Sequence, residues 1–420
     1  MFSIFMYIII ITVSSGLCKN ELYKGYRIYN IDLLNNQQEN NFHVLKSDLI
    51  DFLRKPSYKH NVSGQAMVPP SHFEWFEEKL GENNITKDII IDDVYEYLHK
   101  IDLNEEGIDS NFDYNNYHRY DKIISYLKSI EEAYSNSDEI SIKLVEADRT
   151  DEDRPLVYLT VTAKSSLKTQ KPLVIIEAGI NPREWITVPA AINVIDKIIQ
   201  EDQKTFLENL QWIIIPVLNP DGYEYTHTNL RLWTKSRSTR SSLGPICPGV
   251  NINRNFDIDW LFSDTSTSPC SHIYGGVEAF SEPETKMIKN LIEKHGRTIR
   301  LYISLQNNGR FISYPWQYER AASGMFRQHH LLGLQMISAM GDDYVLDVGS
   351  VALGDRTSGT STDYVMDNEV LYTFNINIEK EGVSGVIIPD TKIKPIAENV
   401  WNAVAIAAQS VMKPNANINS

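Results

Sequence analysis

Asn181, Pro182, Arg183 and Glu184 form a short polar turn where an apolar run, PLVIIEAGI, gives out and before ITVPAAINVIDKII, whose apolar residues recur at helical spacing. A strand that hands a polar turn to a helix is where open α/β sheets keep their chemistry, outside the carboxyl ends of the strands. The residue types raise the question of a metal. Glu184 offers a carboxylate oxygen, whereas Asn181 offers only an amide, and zinc is held by imidazole, thiolate or carboxylate donors. Glu184 also has a purely structural reading: a carboxylate at a helix start is stabilised by unpaired backbone donors and the helix dipole, with Arg183 or Arg254 as a pairing cation. A second polar segment, NINRNFD, carries Asn253 and Arg254. A planar guanidinium there can grip a carboxylate through two hydrogen bonds, or simply anchor its own loop.

These residues need a sheet to position them. PLVIIEAGI, QWIIIPVL, IRLYISLQ and VLYTFNINI read as buried strands, separated by amphipathic stretches such as SEPETKMIKNLIEKHG and AENVWNAVAIAAQSVM. The pattern predicts an α/β domain over residues 117–413, with a mixed central sheet covered by helices on both faces. Ahead of it, residues 19–100 alternate strand-like and helix-like pieces (KGYRIYNID, NNFHVLKSDLIDFLR, HFEWFEEKLG, DIIIDDVYEYL) and predict a small α+β domain. Residues 101–116, rich in Asn, Asp and Gly, read as a linker, and residues 414–420 as a disordered tail.

Bulk properties narrow the partners. Lys+Arg number 40 against Asp+Glu 55, so the chain lacks the basic footprint that nucleic acid or an anionic membrane requires. The run RLWTKSRSTR reads as a solvated loop. Residues 1–18 have an apolar core of about twelve residues followed by small residues, the length of a signal peptide rather than of a membrane span. The chain is therefore expected to be secreted. Cys247 and Cys270 are close enough in sequence to staple one loop, and Asn61 (NVS) and Asn84 (NIT) are glycosylation acceptors. The adjacent pair His329 and His330 is poorly spaced to chelate one ion and reads as surface.

Several stretches, in order, resemble the zinc carboxypeptidase A family: EAGINPREWI, VLNPDGYEYTHTNLRLWTKSRS, CPGVNINRNFD, SPCSHIYGGVEAFSEPET, SGTSTDY and YTFNINIEKEGVSGVIIP. The front segment resembles that family's activation peptide through YKGYRIYNI, DFLRKP and VPPSHFEWFEEKL. The resemblance implies one zinc held by a His-x-x-Glu turn and a distant His, with an open position for a water that attacks the last peptide bond. It further implies a Glu base late in the chain, an Arg that stabilises the oxyanion, and an Asn-Arg pair with a Tyr around the substrate carboxylate.

Placed on this chain, most of those roles fall on the wrong residue. The ligand positions are Asn181, Glu184 and Gln306; the base position is Asn377, the oxyanion position Thr234 and the tyrosine position Asp355. Only Glu184 keeps the family's residue. The groove residues Arg183, Asn253 and Arg254 match, and Thr362 sits where side-chain preference is set, a small neutral residue that argues against a pocket for basic side chains there. Asp355 would repel a bound carboxylate unless Arg356 or another cation neutralised it.

The resulting expectation is a secreted, catalytically inactive family member with no cofactor, its three amides satisfying one another where a metal would sit, and with peptides bearing a free C-terminal carboxylate as candidate partners. An active zinc exopeptidase with shifted ligands and a structural or storage protein are the alternatives. The linker carries Glu105 and Glu106 and no dibasic site, so the front segment is expected to be retained.

Overall fold

The computed structural model describes residues 18–412 except 44, 46, 103–111, 165–170, 342 and 381–385. The apolar N-terminal run, most of the linker and the C-terminal tail lie outside the described residues.

The front unit is a four-stranded sheet of β1 (Arg27–Asp32), β2 (Asp51–Arg54), β3 (Gly64–Val68) and β4 (Thr86–Ile91), ordered β2-β3-β1-β4 with every pair antiparallel. The helix Phe73–Glu82 packs Phe76 and Leu80 into a core with Tyr29, Ile31, Ala66 and Val68. β3, GQAMV, is buried at every position and has no alternation to betray it in sequence. β2 is an edge strand, and its placement matters most, because an edge presents backbone groups that something must cover.

The main sheet has eight strands: β5 (Ile140–Arg149), β6 (Pro155–Ala163), β7 (Leu173–Glu177), β8 (Gln211–Ile215), β9 (Ile299–Gln306), β10 (Phe311–Tyr314), β11 (Val345–Val348) and β12 (Tyr372–Asn377). Their order is β11-β10-β12-β9-β7-β8-β6-β5. The centre is parallel (β12 with β9, β9 with β7, β7 with β8), and antiparallel pairs flank it, which makes the sheet mixed as expected. Parallel strands covered on both faces are apolar throughout, which is why LVIIE is buried at all five positions and legible as a strand.

Two apolar cores lie on the two faces. One gathers the helices Tyr120–Ala133, Thr187–Ile198, Phe326–Met340 and Ile393–Met412, and the other the helices Pro283–His295 and Ser361–Asp367. Each fully buried Ile, Leu or Phe among them contributes about 1.5–3 kcal/mol relative to exposure. His329 belongs to the first core and is fully buried: Nε2 accepts from the backbone N–H of Thr373, and burial pushes the imidazole down to about 4. Its expected surface position is corrected, because the ring fills space against Tyr314, Tyr372 and Phe374 as an aromatic would. Cys247 and Cys270 are bonded, with Cα atoms 4.8 Å apart, closing the loop beside the groove. Asn61 and Asn84 both lie on exposed turns with left-handed backbone, a conformation asparagine tolerates.

Candidate active site

The carboxyl ends of β7, β9 and β12 converge on one cavity of about 160 Å³. Asn377 and Gln306 are register partners on neighbouring parallel strands, so their amides stand side by side at the sheet's end. The turn after β7 begins at Gly179, whose φ of 66° is the left-handed region, and a Cβ there would lie 3.0 Å from the backbone of Val217. Thr187 then closes the turn: its hydroxyl donates to the carbonyl of Glu184 at 2.8 Å and accepts from the N–H of Gly179 at 3.2 Å. This brings Asn181, Arg183 and Glu184 to the cavity together with Gln306, Asn377, Thr234, Asn253 and Arg254. Asp355 and Thr362 are not among its lining residues.

The chemistry at Glu184 is that of an amide cluster. The Asn181 side-chain N–H donates to Oε1 at 2.6 Å and the Asn307 backbone N–H to Oε2 at 2.7 Å, so both oxygens already face donors. Burial pushes the carboxyl up to about 7 against the opposing pull of Arg183 and those hydrogen bonds. The Gln306 amide donates to Ser304 Oγ at 3.1 Å, whereas Asn181 Oδ1 and Asn377 Nδ2 have no hydrogen-bond partner within the protein. The three amides therefore do not satisfy one another, a correction to the sequence reading: Asn181 turns to Glu184 and Gln306 to its own strand. Among the described residues no three His, Cys, Asp or Glu side chains converge as metal donors, and the one histidine lining the cavity, His272, faces Asp51 with Nε2 at 3.8 Å. This donor set does not fit a zinc ion. Thr234 has no charge to offer an oxyanion and donates to the carbonyl of His272 at 3.2 Å.

The guanidiniums are engaged internally. Arg183 is paired with Asp51 of β2, at 2.5 and 3.3 Å through two nitrogens, in a buried contact. Burial alone would raise the Asp51 carboxyl, but Arg183 and His272 outweigh it and hold the group below its usual range. Arg254 donates to the carbonyl oxygen and to Oδ2 of Asp264, at 2.7 and 2.8 Å, while Asn253 Oδ1 accepts from the N–H of Ser361 at 3.0 Å. Neither arginine pairs with Glu184. Asp355 faces the front unit, with the Lys55 ammonium at 3.5 Å and the His43 ring at 3.6 Å, and takes from Arg356 only its backbone N–H. Thr362 is buried and accepts from the Gln317 amide at 2.6 Å.

Asp51, Leu53, Arg54 and Lys55 thus close the mouth of the groove, and Asn308 donates from its amide to the free carbonyl of Leu53 on the β2 edge at 2.5 Å. None of these contacts was readable as a site in sequence, because each joins segments more than a hundred residues apart.

Glu177, at the end of β7, was missed for another reason: inside an apolar run it looked like a strand terminus. It is fully buried and accepts from Tyr302 at 2.6 Å, Ser361 at 3.1 Å and Ser304 at 3.4 Å. Burial nevertheless pushes it up to about 7. A carboxyl with a raised folded-state pKa stabilises the fold fully below its unfolded value and loses that contribution as pH rises toward 7. Between about pH 5 and pH 8 this group is expected to account for a fall of about 2 kcal/mol. Glu177→Gln should reduce the fall by about that amount, leaving the part that belongs to the similarly raised Glu184, as read by urea unfolding at the two pH values.

Comparison with known proteins places this geometry. Residues 123–403 match the family model for zinc carboxypeptidases and residues 29–100 the model for the carboxypeptidase activation peptide. The chain is 31% identical to carboxypeptidase B of Helicoverpa zea over 412 residues, covering 93% of this chain and 95% of that protein. It is 26% identical to bovine carboxypeptidase B, covering 97% and 99% respectively. The crystal structure of carboxypeptidase A from Helicoverpa armigera superposes with a TM-score of 0.84 at 26% identity, over 93% of this chain and 98% of that one. The chain belongs to the zinc carboxypeptidase family and carries that family's activation-peptide domain ahead of its peptidase domain.

Proposed function

We propose that this is a secreted member of the zinc carboxypeptidase family that does not cleave peptides and whose front domain stays seated on the groove. The observation that carries the reading is the state of Glu184: the one ligand residue that survives has both oxygens turned to N–H donors, from Asn181 and Asn307. With Gln306, Asn377 and Thr234 at the other working positions, neither metal-bound water nor a base is supplied. Export is supported by the N-terminal apolar run, the Cys247–Cys270 bond and the exposed acceptors Asn61 and Asn84. Among the described residues no helix is long and apolar enough to cross a membrane.

The test is an exopeptidase assay on the chain as isolated and after proteolytic nicking of the linker, with zinc added and with peptides ending in basic, aromatic and aliphatic residues. No release of terminal amino acids is expected in either form. Release that requires zinc and stops with a chelator would overturn the reading in favour of shifted ligands.

Recognition of a free C-terminal carboxylate is a second reading, favoured by the presence of Arg183, Asn253 and Arg254 on one cavity wall. A peptide carboxylate would have to displace Asp51 or Asp264 from these guanidiniums. Peptides with free and amidated C-termini separate the cases, since equal binding removes this reading.

A further inference from the structure

Asp264 sits in the groove as a carboxylate shared between two cations. Its Oδ2 accepts from Arg254 at 2.8 Å, while its Oδ1 faces the Lys55 ammonium at 2.5 Å. The same ammonium lies 3.5 Å from Asp355 Oδ2. Lys55, Asp264 and Asp355 are each largely shielded, their side chains 17%, 16% and 18% exposed. An exposed lysine pair is worth little, but an ammonium enclosed by two carboxylates away from water is a recognition element. The lysine comes from the front domain and both carboxylates come from the peptidase domain.

We propose that Asp264 and Asp355 form a pocket for a primary ammonium group, and that the Lys55 side chain is its resident ligand. Apart from Lys55, the peptidase domain sets one cation, Arg254, against these two carboxylates. Without Lys55, Asp264 still has Arg254, but Asp355 has only the N–H of Arg356, since its other close neighbour, His43, also belongs to the front domain. The position that was expected to set side-chain preference, Thr362, is neutral and is tied to Gln317, so it is not what would hold an ammonium. The ligand class that fits is a lysine side chain, here supplied by the chain itself and, whenever the front domain departs, open to lysine-bearing peptides. This inference rests on the front domain's seat over the groove and is independent of zinc, so it can fail while the reading above stands.

Chemical rescue in the full chain tests it. Lys55→Ala removes three methylenes and the ammonium, which n-propylammonium reproduces. The variant should lose a few degrees of thermal midpoint, and millimolar n-propylammonium should recover at least half of the loss by binding the folded state alone. Tetramethylammonium, a cation with no N–H to donate, and acetate should recover none. The amine should likewise fail to rescue Lys55→Met, whose side chain fills the space, Lys55→Ala combined with Asp264→Asn, and Lys59→Ala, whose lysine is exposed and paired with Asp347. Absence of rescue in Lys55→Ala, or equal recovery in the Lys59→Ala or Lys55→Met variants or with acetate, would overturn the proposal.

Discussion

Replacing Asn181 and Gln306 by His, Asn377 by Glu and Thr234 by Arg is expected to turn the chain into a zinc-binding protein. Asn181 already lies within hydrogen-bonding distance of Glu184, and Gln306 and Asn377 stand side by side on paired strands, so the new side chains project into one cavity. Zinc held by four protein donors at neutral pH is worth about 10–16 kcal/mol, or roughly 3 kcal/mol per donor. Two imidazoles added to Glu184 should therefore strengthen zinc affinity by roughly four orders of magnitude. Competition against a chromogenic chelator reads this directly. Turnover is expected to stay low, because Asp355 stands where the family resemblance places a tyrosine and Asp51 still covers the groove. An unchanged zinc affinity would mean that the backbone no longer brings these positions together.

Asp51→Ala is expected to have the largest effect on stability of any single change in the groove. It leaves the Arg183 guanidinium buried with, among the described residues, only the carbonyl of Leu232, at 3.4 Å, as a hydrogen-bond acceptor. Breaking one side of a buried pair costs about 3–5 kcal/mol, because the remaining charge is neither solvated nor paired. The loss should appear in urea unfolding of the full chain, and as faster proteolysis of the front domain. Combining Asp51→Leu with Arg183→Met should recover most of it, since removing both charges removes the orphan. If the single variant costs no more than a surface change, the front domain is not seated as described.

The parts legible in the sequence are those with local causes. The apolar runs of β7, β9 and β12 announce strands buried on both faces, and their ends locate Asn181, Gln306 and Asn377 at the carboxyl end of the sheet. The replacement of donors by amides is likewise a matter of residue identity. What sequence could not reveal is where the remaining charges go. Arg183 and Arg254 look like free clamp residues, yet their partners, Asp51 and Asp264, are ordinary acidic residues with no motif around them. Lys55 and Asp264 are 209 positions apart, and only the seating of β2 on the groove joins them. Short strands such as β10 and β11, four residues each, carry too few alternations to be read, although β10 sits between β12 and β11 in the sheet. His329 was misplaced because a neutral, hydrogen-bonded imidazole packs like an aromatic ring, which its residue type does not disclose.

The most direct measurement is a calorimetric zinc titration of the chain purified from its native source, together with elemental analysis of the same material. The account predicts substoichiometric zinc as isolated and no saturable binding at micromolar metal, with heats unchanged by Glu184→Gln. One tightly held zinc per chain that is lost in Glu184→Gln would contradict it.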